Sequence, residues 1–137
     1  KPEQPQQGAG LVCYYDIHRW YFLQRMTDAE LGPCVTIGSR YHERIKIPVR
    51  DVENIRLAME CTGEEIKFSF AYEGEDEWHA VGGVFDAHWL SDEGMTRCGG
   101  PAVYNFTGSM MGVAAWDLTD VSPVPAFDYF DYQPLSE

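Results

Sequence analysis

Basic residues are scarce. Ten Lys and Arg stand against 22 Asp and Glu in 137 residues, and the net charge is −12. Nucleic-acid phosphates and anionic lipid headgroups are held by clustered Lys and Arg, so this chain is poorly suited to either. A neutral sugar carries no such penalty, so the charge excludes partners without selecting one. Long apolar runs are also missing. No stretch approaches the ~20 residues of a membrane-spanning helix. No secretory signal is visible at the start, which is Lys1 rather than Met.

The usual signatures of catalysis and metal binding are absent as well. There is no GxSxG elbow and no phosphate-binding Walker loop. The four histidines are His18, His42, His79 and His88, and none makes a close metal-binding spacing. His42-Glu43 is not followed by the second His that an HExxH helix requires. Nothing implies a cofactor. The four cysteines, Cys13, Cys34, Cys61 and Cys98, form no CxxC pair, which argues against a zinc knuckle or a thioredoxin-like centre. They allow two disulfides in three pairings, or four thiols. Cys13 and Cys61 fall inside apolar alternations, where a buried thiol is expected. That points to a reducing, cytoplasmic compartment, with secretion left open.

Acidic residues are plentiful, and for that reason uninformative. A glycosidase needs two carboxylates across the scissile bond, but among 22 acids any pair can be nominated. Asp128 and Asp131 are read as solvent-facing positions of a strand. The run EGEDE at 73–77 lacks the spacing of a calcium loop and reads as a solvated hairpin turn. Asn105-Phe106-Thr107 matches a glycosylation triplet, yet it adjoins an apolar strand and is read as incidental.

What the chain does have is aromatic residues and period-2 alternation. It is 45% hydrophobic and 14% aromatic, with a turn signal every few residues. Aromatic side chains suit a pleated, half-buried surface. Residues 1–9 are rich in Pro and Gln and read as a loop or linker. Strands are expected over 10–16 and 19–26, joined by a tight turn at Ile17–Arg19. Further strands are expected over 33–38, 42–49, 54–61 and 65–72, and from Trp78 through Phe85. The alternation is cleanest in 54–61, where Ile55, Leu57, Met59 and Cys61 oppose Arg56, Ala58 and Glu60. The stretch 87–104 reads as a long loop with one short helical turn at 88–92. Strands at 106–118 and 126–132 complete the set. No amphipathic helix is visible, so the expected class is all-β: an antiparallel two-sheet sandwich or a barrel over residues 10–137. Trp20, Trp78, Trp89 and Trp116 could form a platform for sugar rings, though most aromatics in a small sandwich are core.

Four segments carry a resemblance. GAGLVCYYD (8–16), WLSDEG (89–94), FTGSMMGVAAWDL (106–118) and PAFDYFDY (125–132) resemble, in order and spacing, motifs of the C-terminal domain of family-43 glycoside hydrolases, the β-xylosidase and arabinofuranosidase group. The resemblance implies a concanavalin A-like, jelly-roll sandwich that this chain enters partway, lacking its first strands. Sheet edges left bare in that way can pair with another chain in an oligomer.

The resemblance further implies an accessory role. Hydrolysis in that family belongs to a separate catalytic propeller of the same protein, so no catalytic residue is expected here. The sandwich packs on the propeller and sends an aromatic residue to the rim of its sugar pocket. By motif position that residue is Phe106, with Thr107 and Gly108 shaping the turn. The implied substrate is a xylo-oligosaccharide or a related small glycan. Ser109-Met110-Met111 departs from the family's usual Ala-Phe-Val. Two other readings stand beside this one: an independent carbohydrate-binding module, marked by a row of exposed Trp or Tyr on one sheet face, and a domain that only packs against its neighbour.

Overall fold

The computed structural model describes residues 1–40, 42–91, 108–120 and 124–135. Eight strands and one helical turn form in the order β1 (Gln7–Tyr14), β2 (Trp20–Asp28), β3 (Gly32–Gly38), β4 (Ile45–Pro48), β5 (Ile55–Thr62), β6 (Glu65–Tyr72), β7 (His79–Asp86), a 3-10 turn at Ala87–Leu90 and β8 (Met110–Asp117). They make two antiparallel sheets. The larger has the order β4-β3-β2-β1-β8 and the smaller β5-β6-β7.

The alternation sets which side faces in. Along β1, β2 and β3, Cys13, Tyr21, Leu23, Val35 and Ile37 point to the core and are buried. Ile66, Phe68, Phe70 and Val81 answer them from β6 and β7. Tyr21, Phe68 and Phe85 meet edge-on at centroid distances of 5.1–5.8 Å, which suits the ring quadrupoles. The Tyr21 hydroxyl then crosses the interior to donate to the Asp86 carbonyl at 3.3 Å.

Turn chemistry fixes the registers. Gly63 adopts φ +57° in the two-residue link between β5 and β6, a conformation that a side chain would strain. It pairs Thr62 with Glu65 and so brings Leu57 and Phe70 onto the same face. Gly10 answers a different need. A Cβ there would collide with the Leu23 carbonyl oxygen and lie 2.6 Å from the Gln24 Cα, so β1 and β2 can approach only over glycine.

Three expectations need correction. β1 begins at Gln7, so part of the expected linker is strand, and the preceding residues are tied down by Lys1–Asp51 and by Thr27 donating to the Pro2 carbonyl. Residues 126–132 are not a strand. They lie exposed and outside both sheets. Their alternation puts aromatics and acids on both sides, so neither face is apolar enough to fix a register. Cys61 is exposed rather than buried: β5 is an edge strand, and although Cys61 pairs with the core residue Ile66 it faces the open side of the sandwich.

Candidate functional site

Phe106 and Thr107 lie outside the described residues, as does Cys98. The positions that flank their segment are described, and they come together. On the N-terminal side, Asp86 caps the 3-10 turn by accepting from the His88 amide. Trp89 and Leu90 of that turn are buried in the core. Ser91 donates from its amide and its hydroxyl to the His88 carbonyl, at 3.0 and 2.7 Å. On the C-terminal side, the Ser109 hydroxyl donates to the Leu90 carbonyl, one residue before β8 starts. The described residues on either side of 92–107 are therefore held together at one anchored place.

A buried ion pair supports this base. Asp16 and Arg19 sit in the β1–β2 turn with side chains about 8% and 6% exposed, low enough that each must be matched by the other. Arg19 donates to Asp16 Oδ2 from Nε at 3.1 Å and from Nη2 at 2.6 Å. Asp16 Oδ1 accepts the His18 and Arg19 amides, both at 2.8 Å. Burial alone would raise the Asp16 carboxyl, but these hydrogen bonds and the guanidinium charge bring it below the usual carboxylate range. Arg19 Nη1 then donates to the Ser91 carbonyl at 3.0 Å. The guanidinium also lies over the Tyr15 ring, 4.3 Å from its centroid. Sequence reasoning placed Asp16 at the end of the strand 10–16 and Arg19 in the tight turn that follows. The Asp-x-x-Arg spacing was the available signal, but it names neither the burial nor the distant Ser91.

The four tryptophans separate. Trp89 is core. Trp20 and Trp116 are half-buried on the outward side of the larger sheet, and Trp78 is exposed beside the guanidinium of Arg56. Of the four, Trp78 alone is exposed, so they form no row of the kind a stand-alone sugar-binding module requires. Asp128 and Asp131 are exposed as expected, but in a segment outside both sheets rather than on a strand. Among the described residues no three His, Cys, Asp or Glu side chains come together as a metal site.

A cleft of about 1250 Å³ opens between β1, β5 and β8. Its walls include Leu11, Leu57, Met59 and Val113, with residues 124–135 along one side. These belong to the inward rows of the two sheets. The cleft is the interior of the sandwich opening at one side, and it is wider than the ~300–1,000 Å³ typical of small-molecule pockets.

Comparison with known proteins decides the family. Residues 1–133 match the sequence profile of the β-xylosidase C-terminal concanavalin A-like domain. The chain belongs to that family. It is 35% identical to xylosidase/arabinosidase 43B of Humicola insolens, over 98% of this chain and 26% of that protein. It is 32% identical to a xylan 1,3-β-xylosidase of a Vibrio species, over 96% of this chain and 24% of that protein. The crystal structure of a xylan β-1,4-xylosidase from Bacillus halodurans superposes with a TM-score of 0.73 at 29% identity, covering 88% of this chain and 23% of that one. The chain thus spans about a quarter of the length of the relatives it matches. It is an accessory domain of the family-43 glycoside hydrolases, and its two antiparallel sheets are a concanavalin A-like sandwich.

Proposed function

We propose that this domain serves a β-xylosidase-type hydrolase by packing on the catalytic propeller of the same protein and completing its sugar pocket through Phe106. The observation that carries the reading is the anchored base of segment 92–107. Leu90, Ser91 and Ser109 hold both ends of that segment at one place, and the Asp16–Arg19 pair stiffens it. A residue that must reach another domain's pocket needs a fixed point of departure, and functional residues favour loops on such scaffolds. Phe106 would exclude water and shorten the cleft, and Thr107 would shape the turn beside it. The relatives' names, which include a xylan 1,3-β-xylosidase and a xylosidase/arabinosidase, favour a small pentose oligosaccharide as substrate.

The test is Phe106→Ala in the full-length protein, assayed on xylobiose. The expected result is a KM about tenfold higher, equivalent to about 1.4 kcal/mol of lost binding, with the melting temperature nearly unchanged. Unchanged kinetics with lowered stability would favour the purely structural reading. This chain alone should release no xylose from xylobiose.

A further inference from the structure

The two sheets differ sharply on their outward sides. Outward positions of the smaller sheet carry Arg56, Glu60, Glu65, Lys67 and Asp86, an ordinary solvated surface. Registers place Tyr14, Trp20, Phe22, Met26, Met110 and Trp116 on the outward side of the larger sheet. The charges among its strand positions are Asp28 and Lys46, and these two pair with each other at one corner. In a chain of net charge −12, a whole sheet face without an unpaired acid is not what solvation would select.

The face is also smooth. Gly8, Gly10 and Gly112 floor it along β1 and β8. The Trp116 ring lies against Gly8, where a Cβ would come within 2.5 Å of its Nε1, and the Trp20 ring lies 3.5 Å from the Cβ position of Gly38. The Trp116 indole N–H is already used, donating to Gln24 Oε1 at 2.5 Å. Gln24 and Thr36 in the middle are buried. A sugar site needs convergent polar groups to read hydroxyls, and here the polar groups of the centre are buried under their neighbours, Gln24 accepting from Trp116 and Thr36 donating to the Met26 sulfur at 3.8 Å.

We infer that this face is the surface that packs against the catalytic domain of the same polypeptide. The inference rests on the reading that such a domain stands beside this one, and it adds which side meets it. Five strands about 4.8 Å apart and seven residues of about 3.4 Å each give a face of roughly 500 Å². Counted on both partners, that is about 1,000 Å², within the range of interfaces between domains of one chain. The relatives are about four times as long as this chain, so a covalently attached partner is present at high effective concentration. The neutral face also spares an acidic domain from placing like charges against a neighbour.

Hydroxyl-radical footprinting of the full-length wild-type protein tests this without a substitution. Met110 is 56% exposed on this domain. Its oxidation, with that of Phe22 and Trp116, should be suppressed several-fold relative to a freely exposed methionine or aromatic, at every protein concentration and without sugar. Phe22→Glu in the same protein should split a single thermal transition into two. Oxidation of Met110 and Trp116 at the unprotected rate would overturn the inference. So would protection that appears only with added xylotriose, which would make the face a sugar site, or only at high protein concentration, which would make it a contact between copies. These readouts are independent of Phe106→Ala kinetics, so failure of the pocket reading and failure of this one are told apart.

Discussion

At the scale of single residues, Asp16 and Arg19 matter most to the account. Their side chains are withdrawn from water, and each is matched only because the other is present. Removing one member of a buried pair leaves an uncompensated charge and costs about 3–5 kcal/mol. Arg19→Met, which keeps much of the side-chain volume, should therefore lower unfolding stability by roughly 3 kcal/mol in urea titration. A loss below about 1 kcal/mol, the range of surface pairs, would mean that the carboxylate escapes to solvent and that the contact between Leu90 and Ser109 is held by the serines alone. The sequence offered an acid at the end of a strand and an arginine in the turn after it. It could not offer their burial, which depends on Tyr15 beneath the guanidinium and Ser91 beyond it.

At the scale of elements, most strands were legible because one face of each is apolar and the period is two. The run 54–61 became β5 (Ile55–Thr62), and 65–72 became β6 (Glu65–Tyr72), joined by the expected Gly63 turn. The short helical turn lies at Ala87–Leu90, one residue from its expected start. The failure at 126–132 has the same physics: Phe127 and Tyr129 alternate with Asp128 and Phe130, so alternation exists without an apolar side. Gly10 is an element-scale feature that pattern reading passed over, since a glycine in a strand signals only a weak point until the neighbouring backbone is seen. Gly10→Ala should destabilise the domain by about 3 kcal/mol, the upper end for overpacking, because the clash is with backbone rather than a movable side chain. Thermal unfolding measures it, and a variant as stable as the wild type would show that β1 and β2 can separate at no cost.

At the scale of the whole molecule, the family was legible from four short motifs in order, and the sheet-wide charge pattern was not. Neutrality of the larger sheet's outward side emerges only when registers bring β1, β2, β3 and β8 side by side. The proposed role of Phe106 at another domain's pocket likewise lies beyond what one domain can display, since this chain spans about a quarter of the length of the relatives it matches. The central claim is that the domain acts on a catalytic neighbour. The most direct measurement compares the full-length protein with the same protein truncated before Lys1, reading thermal stability and xylobiose kinetics together. Truncation is expected to lower the melting temperature of the catalytic domain and to raise its KM. A truncated protein that melts at the same temperature and turns over xylobiose with the same KM and kcat would contradict it.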